Sequence, residues 1–401
     1  MSYGTITRQE MTRSFMIDTF RLKENHVKKK SVVVLCICYL ISLNLLWAET
    51  WSATKRLTWN SGTSRYPVIA VDSSNNIFIA YEDDTSGTKH IYLKKSTDSG
   101  LTWTNKRLTW GAYQKIWPEI SVDSSDSIHL VFKGDQNYLY SKKSTDAGNT
   151  WGSAKNVTWS FGNEPDIAFG SGSNIYIVYR ASISGNEEIF FKKSTNSGDS
   201  WIGKKRLTWN AGSSFSPMLV YESNGNIHVI WRDKTTGSWQ VFYKKSADDG
   251  LSWSKAIRMT WTTKIALRLA LAIDSSDNLY AFFELGYYNI HYKKSTDSGA
   301  SWTGAKRITW TQESSAPIVC IDTNDTIHLC WKEFYSTIGW DVCYKQSTNG
   351  GTSWGGVRRL TYGIHTQTER PAIIFDSNND IHFAWEGEKS GNYEIYYKNR
   401  K

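Results

Sequence analysis

The stretch STDSGLTW at residues 96–103 decides the fold, because close variants of it recur along the chain. A second stretch, RLTW at 56–59, recurs either unchanged or as NVTW, RMTW, RITW or RLTY, and its copies start 49 to 52 residues apart. Repetition at one such period is typical of propellers and solenoids, in which each repeat is one supersecondary unit. The first stretch returns with its last residue at Trp151, Trp201, Trp253, Trp302 and Trp354, and the second returns at 107–110, 156–159, 206–209, 258–261, 307–310 and 359–362.

Three more segments of strand character lie between consecutive copies of RLTW. In the first repeat they are PVIAVD (67–72), NIFIAY (76–81) and HIYLKKS (90–96), each an alternating or short apolar run. Four strands leave no room for a helix, and the 20 Trp and 22 Tyr residues suit strands. Four antiparallel strands repeated radially describe propeller blades. The sequence therefore predicts an all-β, seven-bladed β-propeller of four-stranded antiparallel blades.

The six prolines share one position of the repeat, which predicts that each opens the first strand of its blade. The next turn reads DSSNN or similar, and Asp and Asn cap their own backbone in such turns. A calcium loop is the alternative, but the acidic ligands are few and no glycine follows at EF-hand spacing. We therefore predict no metal. The prolines are Pro67, Pro118, Pro165, Pro217, Pro317 and Pro371, and Leu269 stands there in the fifth blade.

The ends of the repeat region predict how the ring closes. The chain stops at YYKNRK (396–401), which reads as the third strand of a blade, whereas Thr50 and Trp51 read as the end of a turn before RLTW. The N-terminal strand is therefore expected to complete the last blade and to remove an open sheet edge. Residues 49–401 then form one propeller.

Residues 1–48 predict export. Lys28, Lys29 and Lys30 precede an apolar run at 31–47, and Ala48 follows, as in a secretory signal. An uncleaved membrane anchor is the alternative, and Met11 and Met16 are alternative starts to Met1. Both interpretations place residues 49–401 outside the cytoplasm, secreted or anchored by 31–47. The net charge of +9 has no basic block beyond this segment, which disfavours nucleic acid as a partner.

Three cysteines outside the N-terminal segment fall in one repeat. Cys320, Cys330 and Cys343 stand where other repeats carry small or apolar residues, so core filling is expected. One cross-strand disulfide is the alternative outside the cell, and an odd count would leave one thiol over.

The pattern S-x-[DN]-x-G-x-[ST]-W has a physical logic, since Asp or Asn accepts turn N–H groups and Gly supplies positive φ. Six copies in register resemble the Asp-box, or BNR repeat, and residues 51–401 resemble the sialidase-like Asp-box propellers. The resemblance implies that the boxes are structural and lie away from the active face. Their acidic or amide positions are Asp98, Asp146, Asn196, Asp248, Asp297 and Asn349.

In this strand order, the loops that enter each first strand and those that join second to third strands share one face, which we call the site face. By the resemblance this face carries the site. Second strands end in an aromatic residue and then a charge, which predicts a ring of mixed sign. The second-to-third loops are shortest in blades 2 and 5. The expected ligand-binding residues are Tyr66, Trp117, Arg232, Trp239, Tyr335, Trp340 and Tyr393.

A sialidase, by the resemblance, needs three arginines for a carboxylate, a Tyr nucleophile with its Glu, and an Asp acid. Arg65 precedes Tyr66 and Pro67 as in the family's R-I-P motif, although the middle residue differs. Family sialidases have six blades, whereas seven are predicted here. If the chain is a sialidase, the catalytic candidates are Arg65, Arg180, Arg232, Glu333 and Tyr335.

The aromatic residues on the site face favour a non-catalytic module that binds glycans or another cell-surface ligand, since flat rings stack on sugars. Sialidase-like hydrolysis and protein assembly are the alternatives, because fold does not fix function. No cofactor is expected, and the membrane is a partner only through an uncleaved N-terminal segment.

Overall fold

The computed structural model describes residues 50–286, 288–310, 313–363, 367–389 and 391–401. These form 28 strands in seven four-stranded antiparallel sheets, which makes the chain an all-β, seven-bladed β-propeller, as predicted. In chain order, the strands of blades 1 to 3 after β1 (Lys55–Arg56) are β2 (Ser64–Val71), β3 (Ile77–Asp83), β4 (His90–Ser96), β5 (Thr104–Arg107), β6 (Ile116–Val122), β7 (Ile128–Lys133), β8 (Leu139–Ser144), β9 (Lys155–Asn156), β10 (Asn163–Phe169), β11 (Ile175–Ile183), β12 (Asn186–Ser194) and β13 (Ile202–Arg206).

The remaining four blades repeat the pattern, and a single 3-10 turn at Asp135–Asn137 is the helical element of the described chain. Their strands are β14 (Ser214–Tyr221), β15 (Ile227–Asp233), β16 (Gln240–Ser246), β17 (Ile257–Arg258), β18 (Ala266–Ile273), β19 (Leu279–Leu285), β20 (Ile290–Ser295), β21 (Lys306–Arg307), β22 (Ser314–Ile321), β23 (Ile327–Tyr335), β24 (Gly339–Ser347), β25 (Arg358–Arg359), β26 (Gln367–Phe375), β27 (Ile381–Lys389) and β28 (Asn392–Arg400).

The core lies between the blades. The seven first strands contact one another in a closed inner ring, and each second strand is buried by the blades on both sides. Side chains alternate between the two faces of a strand, so each blade contributes to the clusters on both of its flanks. Val68 and Ala70, for example, pack toward blade 2, whereas Ile69 packs toward blade 7. This is why the second strands read as continuous apolar runs.

The closure of the ring is as predicted. Strand β1 pairs with β28, and Lys55 lies opposite Tyr397. Trp51 forms a bridge with Arg400, and its ring stacks on Phe383 at 5.7 Å between centroids. The N-terminal segment therefore supplies the fourth strand and the final Trp of blade 7.

The prolines do not open their strands, which corrects the sequence prediction. Pro67 is the fourth residue of β2 and lies at a register shift between Arg65 and Val68. A bulge leaves one residue unpaired, so the missing N–H of proline costs no ladder hydrogen bond. The residue before the proline, or before Leu269 in blade 5, has positive φ in every blade, at Tyr66, Trp117, Glu164, Ser216, Arg268, Ala316 and Arg370.

The six turns that contain the S-x-[DN]-x-G-x-[ST]-W pattern, here called the motif turns, are held by their own side chains. Asp98 Oδ1 accepts the N–H of Thr102 at 2.8 Å, and Asp98 Oδ2 accepts the hydroxyl of Thr102 at 2.5 Å. Gly100 N–H donates to Ser96 Oγ at 2.9 Å. The ring of Trp103 lies against Tyr397 of the neighbouring blade at 4.9 Å. These turns lie on the face opposite the site face, which we call the motif face.

Each RLTW segment turns the chain from the fourth strand toward the next blade. Leu108 is buried, and the hydroxyl of Thr109 accepts the N–H of Ile91 on the third strand at 2.9 Å. Arg107 Nε donates to the carbonyl of Thr109 at 2.7 Å, which clamps the turn. The fourth residue, Trp110, is left outside the core and is 60% exposed.

The three cysteines are free thiols, and two of them are fully buried, in agreement with core filling. Cys330 and Cys320 pack in the cluster between blades 6 and 7, and Cys343 packs between blades 5 and 6. Among the described residues, no helix has the length and apolar character needed to cross a bilayer. The apolar run at 31–47, with Cys36 and Cys38, lies outside the described residues.

Candidate functional site

The mouth of the inner ring on the site face is formed by the bulge residues, which are the seven positive-φ residues of the first strands, from Tyr66 in blade 1 to Arg370 in blade 7. At three of them the backbone N–H donates to a carboxylate of the preceding blade: Tyr66 N–H donates to Glu386 Oε2 at 2.6 Å, and Trp117 N–H donates to Glu82 Oε1 at 2.6 Å. Ser216 N–H donates to Glu164 at 2.8 Å. In these three blades a carboxylate thus fixes the backbone of the bulge, and the carboxylate is buried in two of them, Glu386 and Glu82.

Arg65 of blade 1 forms an ion pair with Glu386 of blade 7, across the seam where these two blades pack against each other. Its Nη2 lies 2.8 Å from Glu386 Oε1, and its guanidinium lies over the ring of Tyr393 at 4.1 Å. Burial alone would lower the pKa of Arg65, but the hydrogen bond and charge of Glu386 raise it. Beside this pair, the guanidinium of Arg370 lies 3.6 Å from the centroid of the Tyr66 ring.

Arg180 and Arg232 meet on the other side of the mouth. Both guanidinium groups lie over Phe215, at 4.3 Å and 5.3 Å, and Arg232 also lies over Trp239 at 4.9 Å. Arg180 pairs with Glu187 at 2.9 Å. Since Arg65 pairs at a different seam, the three predicted arginines do not share one partner. The sequence prediction of a single three-arginine clamp therefore lacks support from the geometry.

Arg232 has no ion-pair partner within the described part of the chain, and its Nε makes no hydrogen bond there. Burial lowers the pKa of Arg232, and the nearby Arg268 and Arg180 lower it further, whereas Glu164 and Glu284 oppose this. A half-buried guanidinium with positive neighbours favours an anion as its missing partner.

Glu333 and Tyr335 lie on the same strand but have separate partners. Glu333 is buried and accepts hydrogen bonds from Ser314 Oγ at 2.8 Å and Trp331 Nε1 at 2.5 Å. The Tyr335 hydroxyl lies 3.5 Å from Cys343 Sγ, and burial raises the pKa of Tyr335. A nucleophilic tyrosine needs the opposite shift, and Arg359, which lies over the ring at 4.3 Å and lowers the pKa, does not outweigh the effect of burial.

The predicted ligand-binding aromatics are half-buried, and cations cover them. Lys133 lies over Trp117 at 4.9 Å, and Lys332 lies over Trp340 at 4.2 Å. The mixed charges at the ends of the second strands therefore divide by sign: Lys and Arg stack on aromatic rings, whereas Glu82, Glu284 and Glu386 are buried and accept hydrogen bonds. The whole second-to-third hairpins are shorter in blades 2 and 5, where Ile128 pairs with Ser144 and Leu279 with Ser295, but the loops themselves are shortest in blades 3 and 7, because the strands there extend further.

Two carboxylates near the mouth were missed by the sequence analysis. Glu119 and Asp166 each follow the proline of a bulge, in blades 2 and 3. Burial raises the pKa of Glu119, the charge of Asp166 raises it further, and Arg370 opposes this. Burial also raises the pKa of Asp166 to about 7, although the N–H of Leu219 donates to it at 2.7 Å. The signal was visible in sequence, since the other blades carry apolar residues at this position.

A rim of exposed aromatic rings was also missed, because RLTW was interpreted only as a strand. The last residue of each copy is between 60% and 78% exposed, at the outer edge of the site face. Six of the seven lie near the Arg of their own motif, at 4.4 to 5.9 Å from guanidinium to centroid. This aromatic rim consists of Trp59, Trp110, Trp159, Trp209, Trp261, Trp310 and Tyr362.

No family model matches the chain, and no curated protein matches it. A protein of unknown function from Dyadobacter fermentans DSM 18053 is structurally similar, with TM-score 0.58, 13% identity, and coverage of 88% of this chain and 99% of that chain. An ulvan lyase from a new family of polysaccharide lyases is also structurally similar, with TM-score 0.59 and 10% identity. The match covers 85% of this chain and 95% of the lyase. NanB sialidase from Streptococcus pneumoniae matches with TM-score 0.49 and 16% identity, over 86% of this chain and 70% of the sialidase. At these identities the likeness shows the propeller fold alone.

Within the described ranges, no group of three or more His, Cys, Asp or Glu side chains is arranged to hold a metal ion. The carboxylates of the first-to-second turns have backbone partners: Asp72 Oδ1 accepts the N–H of Ser74 at 3.1 Å and of Asn76 at 2.8 Å.

Proposed function

We propose that the chain is an exported Asp-box propeller that binds surface glycans without turning them over. The aromatic rim is the observation that carries the proposal. Seven rings stand in solvent at equivalent places, and the fold does not use them, since the Leu and Thr of each motif make its buried contacts. Exposed apolar surface that repeats in this way marks an interaction site. Planar rings beside guanidinium groups suit saccharides, which offer an apolar face and hydroxyls.

Repetition suits a multivalent surface. One shallow aromatic site is expected to bind a sugar with a Kd near millimolar, about −4 kcal/mol. Seven copies on one ring raise avidity whenever the ligands are spaced to meet more than one of them.

The unpaired Arg232 at the mouth favours an acidic saccharide over a neutral one, because guanidinium binds carboxylate or sulfate bidentately. The structurally similar ulvan lyase is bound to -[GlcA(1-4)Rha3S]-. This supports the same ligand class here.

The experiment compares binding to glycans immobilised at high and low density. Trp209→Ala combined with Trp261→Ala is expected to reduce binding most at high density, and Arg232→Gln to reduce preference for acidic glycans. Leu251→Ala is the matched control, because Leu251 is as exposed but lies on a motif turn. Binding that is unaffected by the rim variants rejects the proposal.

Export is tested separately by sequencing the N-terminus of the protein recovered outside the cytoplasm. A start near Glu49 supports a cleaved signal, and a start at Met1, Met11 or Met16 supports an anchor.

A second candidate function is hydrolysis or elimination at the mouth, which the raised pKa values of Glu119 and Asp166 favour. A carboxyl group that titrates near neutrality suits general acid catalysis. Release of new reducing ends or unsaturated products from an acidic polysaccharide, lost in Asp166→Asn, would replace the binding proposal.

A further inference from the structure

Four blades carry a buried histidine at one position of the second strand, on the side of the motif face. In blade 2, His129 Nε2 lies 2.8 Å from Asp123 Oδ2. The other three make the same contact with the carboxylate of their own first-to-second turn, at 3.0 to 3.3 Å. Because an ionised carboxylate only accepts, Nε2 carries the proton and Nδ1 is left as an acceptor. The other three histidines are His228, His328 and His382.

In those three blades a tyrosine of the third strand satisfies Nδ1. The hydroxyl of Tyr243 lies 2.7 Å from Nδ1 of His228, and the same bond is repeated twice. The equivalent residue in blade 2 is Ser141. His129 is only 4% exposed, yet its Nδ1 has no hydrogen-bond partner in the described ranges. Blade 2 thus has the histidine but lacks the tyrosine whose hydroxyl donates to Nδ1 in the other three blades.

A cavity of 270 Å3 is lined by His129, by Ser141 at the tyrosine position, and by Gly198 of the next motif turn. At the motif-turn glycines of three other blades, an added Cβ would meet the ring of the neighbouring blade at 2.4 to 2.6 Å. At Gly198 the nearest atom is His129 Nδ1 at 3.6 Å. A cavity of about 150 Å3 is already large enough for benzene. The cavity beside Gly198 therefore has room for one aromatic ring.

The walls of this cavity add positive charge. Lys143 and Lys155 line it, together with Ser141, and neither lysine has an ion-pair partner within the described chain. The position of Lys143 is occupied in blades 3 and 4 by Lys193, which pairs with Asp249, and by Lys245, which donates to Ser298 Oγ at 2.6 Å. Asp199 also lines the cavity and offsets part of the charge.

We propose that this cavity binds a small phenol with an acidic substituent, whose hydroxyl donates to His129 Nδ1 and whose carboxylate faces Lys143 and Lys155. The ligand supplies the group that tyrosine supplies in blades 4, 6 and 7. The site lies on the motif face and does not depend on the glycan proposal.

The test is calorimetric titration of the full chain with 4-hydroxybenzoate, benzoate, phenol and glucuronate. The first is expected to bind about fivefold more tightly than benzoate, which lacks the donor hydroxyl, or phenol, which lacks the charge. Ser141→Tyr should fill the cavity and weaken binding about tenfold or more, whereas Ser141→Ala should leave it within about twofold. Lys143→Gln should weaken the binding of 4-hydroxybenzoate and leave the binding of phenol unchanged.

Melting curves of each variant confirm folding, and Lys143→Gln keeps the test valid if Ser141→Tyr does not fold. Unchanged affinity in folded Ser141→Tyr would overturn the proposal. The same holds if none of the aromatic probes binds, or if glucuronate binds and 4-hydroxybenzoate does not.

Discussion

The backbone N–H of Leu57 donates to the carbonyl oxygen of Ile395 at 2.7 Å, which joins the two ends of a propeller whose blades are otherwise built from consecutive segments. Ser52 N–H also donates to Asn399 at 2.9 Å. The last blade has no outer strand without these bonds, and its third strand would be an open edge.

Leu57→Ala is therefore expected to lower the free energy of unfolding by about 2–4 kcal/mol, because the side chain is buried in the cluster between blades 7 and 1. Leu101→Ala, at an exposed leucine, should change it by less than about 0.5 kcal/mol. Denaturant unfolding measures both. Deletion of residues 50–59 should lower the midpoint further than Leu57→Ala, and an unchanged midpoint would contradict the role of the closure.

The motif turns predict an acid-dependent stability. The Thr102 hydroxyl, the Thr102 N–H and Ser96 lower the pKa of Asp98 to about 2, and Asp146, Asp248 and Asp297 are lowered similarly. The unfolded value is about 3.9, so this contribution is complete above pH 4 and is lost as the pH falls toward 2.

Asp98→Asn should make the melting temperature less sensitive to pH between 4 and 2, since Asn196 makes the same turn with its amide: Oδ1 accepts the Ser200 N–H at 2.9 Å. The reverse change, Asn196→Asp, is the matched control and should steepen the dependence. Identical pH profiles for all three proteins would show that these turns do not titrate as described.

Trp209 and Trp231 belong to the same repeat, but Trp209 is exposed and Trp231 is buried, so their contributions to stability are expected to differ. Trp231 is fully buried, so Trp231→Ala should cost about 3–5 kcal/mol. Trp209 belongs to the aromatic rim, and Trp209→Ala should change stability by less than about 0.5 kcal/mol. Thermal unfolding monitored by far-UV circular dichroism distinguishes them. A large loss in Trp209→Ala would mean that the rim is structural.

Asp166 predicts a second pH effect of opposite sign. Burial raises its pKa to about 7, above the unfolded value of about 3.9. The folded protein then holds a proton that the unfolded chain has lost, so stability from this group falls as the pH rises from 4 to 7. Asp166→Asn should raise the melting temperature at pH 7 and leave it nearly unchanged at pH 4. Equal effects at both values would contradict the raised pKa.

The repeats were enough to predict the blades, their strands and the closure, because each depends on local pattern and on equal spacing. The contacts across seams were not predictable. Arg65 pairs with Glu386, 321 positions away, and only the relative placement of two blades decides this. The strand pattern also did not predict which residues are exposed. RLTW continues the apolar alternation of a strand, but strand pairing ends at Thr58 and Trp59 lies outside the core.

The cavity beside His129 illustrates a third limit. Ser141 is an ordinary residue for a strand, and its importance is seen only when Tyr243, Tyr344 and Tyr397 are found at its place with a histidine behind each. An alignment of the repeats against one another would have revealed the substitution, because the histidine is retained and its partner is not.

The first-to-second turns form a chain of contacts around the motif face: Ser73 Oγ of blade 1 donates to Asp126 of blade 2 at 2.5 Å, and equivalent bonds join five of the seven neighbouring pairs. Ser173 and Gly225 replace the acceptor in blades 3 and 4. At the junction of blades 2 and 3, Lys143 has no ion-pair partner among the described residues, and Ser141 stands where blades 4, 6 and 7 carry a tyrosine, although its Oγ accepts the Trp201 Nε1–H at 3.2 Å. Among the described residues, these turn-to-turn bonds are therefore missing on both sides of blade 3, and we expect thermal motion of the propeller to be largest there, at the wall of that cavity.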